Sequence, residues 1–199
     1  MTVALINTGC ANIYSVQAAL DRLGADHILA ATPPEAVIAD RLILPGVGSA
    51  LPAMTQLRAS GWAEALQREA RPVLGICLGM QLLFDRSDEG DVDGLGLMPG
   101  RIERLAPFSG GVLPHMGWNT LDIASATDPL MAGVQPGDRA YFVHSFAAPV
   151  SAFTIASTDY GQIFSAAVRR GNIMGCQFHP ERSGSVGSRI LKNFVEAGL

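Results

Sequence analysis

The stretch Val73-Leu74-Gly75-Ile76-Cys77-Leu78-Gly79-Met80-Gln81-Leu82-Leu83-Phe84 decides the fold. Val73–Cys77 is apolar throughout and reads as a strand buried on both faces, and the run Met80–Phe84 begins a helix. Almost no chain separates the two, so Cys77 must sit on a sharp strand-to-helix turn. Upstream the same alternation repeats. Val3–Ile6, His27–Ala30 and Leu42–Leu44 read as short strands. Between them, Val16, Ala18, Leu20 and Leu23 form a helical face ended by Gly24, Pro34–Ala39 a short helix, and Trp62–Ala70 another helical segment. Uniformly apolar strands separated by helices predict an α/β fold: a doubly wound, mostly parallel sheet with helices on both faces. Sites in such folds form beyond the carboxyl ends of the strands.

After about residue 94 the texture changes. Candidate strands follow one another at Arg101–Leu105, Trp118–Ile123, Ala140–Phe146, Thr154–Ser157, Ala166–Arg169 and Ile173–Phe178, before a closing helix, Ser185–Glu196. Consecutive strands joined by turns predict an antiparallel edge or flap. No repeat or long linker divides the chain, so residues 1–199 are expected to form a single domain. A domain of that size buries about 70% of its unfolded surface and needs no covalent staples.

Composition excludes several functions. With 14 basic against 18 acidic residues there is no electrostatic footprint for nucleic acid. The uncharged amino terminus lacks the basic start of a signal peptide, since Val3–Ile6 stops at Asn7. The charge-free run of 19 residues from Ala140 to Thr158 contains His144, Pro149 and several hydroxyls, which suit a strand and turn better than lipid. No membrane contact is expected. Three scattered cysteines, Cys10, Cys77 and Cys176, fit a reduced, cytoplasmic chain.

Gly75-Ile76-Cys77-Leu78-Gly79 has the form of a nucleophile elbow with cysteine as nucleophile. The flanking glycines permit close strand–helix approach, the Leu78 N–H is placed for a developing oxyanion, and a helix N-terminus favours a thiolate. A core cysteine beside two packing glycines would give the same five letters. Among the four histidines, His179 stands out in Gln177-Phe178-His179-Pro180-Glu181, where proline ends the last strand and Glu181 can orient the ring. His27 reads as surface or strand packing; His115 and His144 read as loop-holding or site-lining groups. Leu44-Pro45-Gly46-Val47-Gly48-Ser49 supplies a turn whose N–H groups can bind negative charge, although a plain tight turn reads the same way. It is no phosphate loop, because the only lysine is Lys192. No ligand spacing points to a metal or a cofactor.

Together these segments resemble the triad-type, class I glutamine amidotransferases: PGVGS at 45–49, GICLGMQ at 75–81 and QFHPE at 177–181, in the family's order. TGCAN at 8–12, PHMGWN at 114–119, YFVHSF at 141–146 and HPERSG at 179–184 narrow the resemblance to the glutaminase subunits of imidazole glycerol phosphate synthases, enzymes of histidine biosynthesis. The resemblance implies Cys77 as the nucleophile, His179 as acid and base, and Glu181 as its orienting partner. It implies an oxyanion hole from Leu78 and the Gly46-Val47-Gly48 turn, completed by a peptide reorientation near Val47. Gln81 and the backbone around Ser145 and Phe146 would hold the ends of L-glutamine. PHMGWN and the edge around Tyr141 and His144 would face a (β/α)8 cyclase subunit in a heterodimer. That cyclase would use the ammonia to make imidazole glycerol phosphate and an aminoimidazole carboxamide ribonucleotide. Asn7, Phe146 and Arg182 depart from residues common in the family, where aspartate, tyrosine and lysine often stand. Two other readings predict different behaviour: a stand-alone cysteine hydrolase of γ-glutamyl or small amides turns over rapidly alone, and a silent scaffold lacks a triad member.

Overall fold

The computed structural model describes residues 1–9, 13–109, 111–125 and 127–196. Cys10 and most of the TGCAN segment therefore lie outside the described residues. The first half runs β1 (Thr2–Ile6), α1 (Ile13–Arg22), β2 (Asp26–Ala30), a 3-10 turn (Pro33–Ala36), β3 (Arg41–Gly46), α2 (Ala50–Ala59), α3 (Trp62–Leu66), β4 (Val73–Cys77) and α4 (Leu78–Leu82). The second half supplies β5 (Phe84–Ser87), β6 (Val92–Asp93), β7 (Met98–Arg104), β8 (His115–Thr120), β9 (Asp122–Ile123), β10 (Arg139–His144) and β11 (Phe146–Ala147). It ends with β12 (Thr154–Asp159), β13 (Ile163–Arg170), β14 (Ile173–Cys176) and α5 (Gly184–Glu196).

An eight-stranded sheet of order β2-β1-β3-β4-β14-β13-β12-β9 organises the molecule. The pairs from β2 through β14 are parallel, and β13, β12 and β9 continue antiparallel. The side-chain period of two explains why the strands are apolar throughout. Val3, Leu5, Ile43, Leu74 and Ile76 face one core, shared with α1 and α5 through Val16, Leu20, Ile190, Leu191 and Phe194. Ala4, Ile6, Leu42, Leu44 and Val73 face the other, shared with α2 and α3 through Met54, Leu57, Trp62 and Leu66. Each Val, Leu, Ile, Phe or Met side chain fully removed from water in this way contributes roughly 1.5–3 kcal/mol.

The expected flap consists of two small sheets. One is the antiparallel pair β10-β8; the other has order β11-β7-β5-β6, and its β5–β7 pair is parallel. Several expected elements differ. Pro34–Ala39 is a 3-10 turn at Pro33–Ala36, and the helix at Trp62 stops at Leu66. The helix expected over Met80–Phe84 covers Leu78–Leu82, and Phe84 starts β5 with its backbone paired to Met98. The strand expected over Trp118–Ile123 is divided between β8 and β9.

Candidate active site

The end of β4 meets the start of α4 at Cys77, whose backbone adopts φ +53° and ψ −110°. Positive φ in a non-glycine residue stores strain of about 1–3 kcal/mol and persists only where surrounding packing enforces it. Here three glycines do so. A Cβ on Gly79 would lie 1.8 Å from the Leu44 carbonyl oxygen, and one on Gly75 2.6 Å from the Met80 nitrogen. On Gly46, at the end of β3, a Cβ would approach the Gly79 nitrogen to 2.8 Å. The short helix thus lies directly on the ends of β3 and β4, and its first N–H, from Leu78, begins the turn after the thiol.

His179 lies just beyond β14. Pro180 opens a 3-10 turn over Pro180–Arg182, which folds Glu181 back so that His179 Nδ1 is 2.7 Å from its Oε1. The His179 backbone is anchored on β10, because its N–H donates to the Tyr141 carbonyl at 2.9 Å. Ser183 ties the same two segments: its hydroxyl donates to the His179 carbonyl at 2.7 Å and accepts from the Tyr141 N–H at 2.9 Å. Nothing in the sequence marks Ser183 for this role, although it lies within HPERSG.

The His179 and Glu181 side chains are 6% and 2% exposed. His179 Nε2 is buried and makes no hydrogen bond of normal geometry among the described residues. Burial pushes the His179 imidazole toward neutrality, but Cys77 and Glu181 beside it more than offset that and push its pKa up to about 10. The ring is thus held as imidazolium at neutral pH, with its second nitrogen left over for the Cys77 side. A pKa raised on folding stabilises the fold fully below the unfolded value of about 6.5 and loses that contribution as pH rises through about 10. Urea midpoints of the purified chain should therefore fall between pH 6.5 and 10, and His179→Gln should flatten that fall. An equal slope in both proteins would contradict the linkage.

Cys77, Leu78, Val47, Gly48, Gln81, Ser145, Phe146 and His179 all line one cavity of about 290 Å3. Gly46 and Glu181 do not; they line a separate narrow recess that shares only Val47 and His179 with the cavity. Gln81 Nε2 donates to the Phe146 carbonyl at 2.8 Å and to Gln177 Oε1 at 3.0 Å. Gln177 Nε2 in turn lies 3.9 Å from Cys77 Sγ, as does the Val143 carbonyl oxygen.

Glu89, which no sequence motif marks, also lines the cavity. It accepts from the Ala50 N–H at 3.1 Å, at the start of α2, and burial raises its carboxyl pKa despite that bond. Its position within an acidic run over residues 85–93 carries no signal of this placement. His144 lines the cavity and His115 stands behind it, with Nδ1 of His115 3.2 Å from Nε2 of His144. Burial lowers their pKa values to about 4 for His115 and about 3 for His144, so both are neutral near pH 7. His27 lies on β2 at the sheet edge, 3.8 Å from Asp21.

On the outer side of the β10-β8 pair, Met116 and Trp118 are exposed, with Tyr141 packed edge-on to the Trp118 ring at 6.1 Å. Of the departing residues, Asn7 accepts from the Gly9 N–H at 3.0 Å, Phe146 packs against the α2/α3 core, and Arg182 is exposed. No helix among the described residues is long and apolar enough to cross a membrane.

Comparison with known proteins places this geometry in a family. The family model described as glutamine amidotransferase class-I matches residues 4–197. The imidazole glycerol phosphate synthase subunit HisH of Xanthomonas axonopodis pv. citri is 51% identical over 194 residues, which cover 98% of this chain and 96% of that protein. The protein of the same name from Xylella fastidiosa is also 51% identical, with the same coverage. Among solved structures, one described as a glutamine amidotransferase superposes with TM-score 0.76 at 18% identity, covering 98% of this chain and 97% of that one. A chain in the structure of PurLQS from Thermotoga maritima gives TM-score 0.72 at 18% identity, over 97% of this chain and 96% of that one. The structural likeness carries the fold, and the sequence identity carries the subfamily. The chain belongs to the class-I glutamine amidotransferases and, within them, to the HisH subunits of imidazole glycerol phosphate synthase.

Proposed function

We propose that residues 1–199 act as a single glutaminase domain in which Cys77, His179 and Glu181 hydrolyse L-glutamine to glutamate and ammonia. The observation that carries this reading is a strained Cys77 sharing one cavity with His179, whose Nδ1 is held by the buried Glu181 carboxylate. The thiolate attacks the side-chain amide carbon, and the resulting oxyanion is held by the Leu78 N–H and by the Gly46-Val47-Gly48 turn. The imidazolium of His179 gives its proton to the departing nitrogen, and ammonia leaves with a γ-glutamyl thioester on Cys77. Water then attacks the thioester while His179 takes its proton, and the C–S bond breaks to release glutamate and restore the thiolate.

The two charged ends of the amino acid need opposite partners. Glu89 is the carboxylate on the cavity wall and complements the α-ammonium, while Gln81 and the backbone at Ser145 and Phe146, which line the same cavity, supply further polar contacts for the ends of the amino acid. No step requires a metal or a redox cofactor.

The partner in this reading is a (β/α)8 cyclase subunit, docked in a heterodimer on the face that carries Met116, Trp118 and Tyr141, and the compartment is the cytoplasm. An apolar, aromatic patch of this kind is typical of the centre of a protein interface. The ammonia passes to the cyclase, which makes imidazole glycerol phosphate and the carboxamide ribonucleotide. The test is co-purification with a candidate cyclase and assay of glutamate release with and without the cyclase's ribonucleotide substrate. The proposal expects slow release from the isolated chain and faster release from the loaded complex, a coupling of two sites. Equal rates would instead favour a stand-alone amide hydrolase.

A further inference from the structure

Backbone carbonyls fix the direction of a hydrogen-bond network that ends on the Cys77 sulfur. The Phe146 carbonyl can only accept, so the Gln81 side-chain atom 2.8 Å from it is the NH2 group. That nitrogen also lies 3.0 Å from a Gln177 side-chain atom, which must then be Oε1. The other end of the Gln177 amide is therefore a donor, and it faces Cys77 Sγ at 3.9 Å, long for oxygen but within reach for sulfur. Gln177 is fully buried, so bulk solvent does not compete for this amide.

A second branch meets the same carbonyl. His144 Nδ1, 2.9 Å from the Phe146 oxygen, must donate, which leaves its Nε2 to accept from His115 Nδ1. His115 Nε2 then faces the Asn119 NH2 group at 3.4 Å, and that group's other partner, the Asp159 carbonyl at 2.8 Å, is again an obligate acceptor. Every amide and both ring tautomers are thus determined without choice.

We propose that Gln177 is a thiolate-stabilising residue whose side-chain N–H, oriented by Gln81 and the Phe146 carbonyl, donates a hydrogen bond to Cys77 Sγ. This rests on Cys77 being the nucleophile. The sulfur lies between opposed influences. The Val143 carbonyl at 3.9 Å accepts only from S–H and favours the thiol, whereas Gln177 donates and favours the anion. The titratable groups around this site are His179 and Glu181 beyond β14, His144 on β10 and Glu89 between β5 and β6.

The donor of Gln177 differs from His179 in being neutral and permanent. Once His179 has passed its proton to the leaving amine, the imidazolium no longer offsets charge on sulfur. Gln177 still donates when the C–S bond breaks and the pair of electrons returns to sulfur; no proton leaves the amide at any stage. Gln81 is the shared element, since it lines the substrate cavity and also holds Gln177 in the donating orientation.

The test uses two variants close to glutamine in size, Gln177→Met and Gln177→Glu, in the full chain and in its complex with the cyclase. Alkylation of Cys77 by iodoacetamide is followed against pH, with peptide mapping to separate it from Cys10 and Cys176, alongside kcat and KM for glutamine. A hydrogen bond to a charged group predicts roughly 10- to 100-fold slower Cys77 alkylation near pH 6 in Gln177→Met, with the titration moved upward by about one pH unit or more. The kcat should fall by a similar factor while KM stays within about threefold. Gln177→Glu keeps the acceptor for Gln81 but sets a carboxylate against the sulfur, so its alkylation should be slower still. If the methionine variant fails to co-elute with the cyclase, the glutamate variant alone decides. An unchanged alkylation profile overturns the proposal, and so does a fall in kcat without any shift in thiol titration, which marks a merely structural role. If complete alkylation of Cys77 in the unmodified protein leaves glutamate release intact, the nucleophile reading itself fails, whatever the variants do.

Discussion

Cys77→Ala should lower glutamate release by the cyclase complex by at least about 1,000-fold, because a covalent route has no substitute once its nucleophile is gone. The same complex should make its product at an undiminished rate when ammonia is supplied directly, since the cavity at Cys77 then has nothing to contribute. His179→Asn should fall nearly as far, and the double variant little further, because residues that act as one unit give non-additive losses. Steady-state assays with glutamine and with ammonium salts separate these outcomes. Glutamine hydrolysis that continues at full rate in Cys77→Ala would remove Cys77 from the mechanism.

The second large effect concerns the fold beneath the site. Gly79→Ala should destabilise the chain by about 3 kcal/mol or more, at the upper end of overpacking costs. The added Cβ would sit 1.8 Å from the Leu44 carbonyl oxygen, and that oxygen belongs to β3, held between β1 and β4 in the middle of the sheet. Neither side can yield cheaply. Alanine is the better helix former by about 1 kcal/mol, so an isolated helix would predict the opposite sign. For a chain of this length the expected fall in Tm is roughly 6–12 °C. A calorimetric melt showing equal or higher stability would mean that α4 does not press on the sheet as described.

The contrast between these two positions shows what a sequence makes legible. Strands buried on both faces have no polar register, so Val3–Ile6, Leu42–Leu44 and Val73–Cys77 stand out from composition alone. The elbow is visible because the residues that bear its steric demands, Gly75, Cys77 and Gly79, are close in sequence, even though the Leu44 carbonyl that presses on Gly79 is not. Helix α2 is hidden. Its buried Ala50, Ala53, Met54 and Leu57 follow the helical spacing, but the first two are small and Pro52 reads as a breaker. In the first turn that proline is harmless, since its nitrogen would have no intrahelical partner.

Site residues divide in the same way. His179 and Glu181 are two positions apart, and a proline-led turn is enough to pair them. Gln81 and Gln177 are 96 positions apart, and only the parallel pairing of β4 with β14 brings them together. Glu89 reaches the cavity because β5 turns away from the helical path expected for Phe84. Nothing in the acidic run around it marks that residue from its neighbours.

The central claim is that a γ-glutamyl group is carried on the Cys77 sulfur. The measurement that tests it most directly is acid-quenching the loaded cyclase complex during turnover of isotopically labelled glutamine, followed by mass spectrometry of the peptide that contains Cys77. The account predicts a labelled γ-glutamyl thioester on that cysteine, absent from Cys77→Ser and lost on treatment with hydroxylamine. Label on Cys10 or Cys176, or sustained glutamate release with Cys77 never acylated, would contradict it.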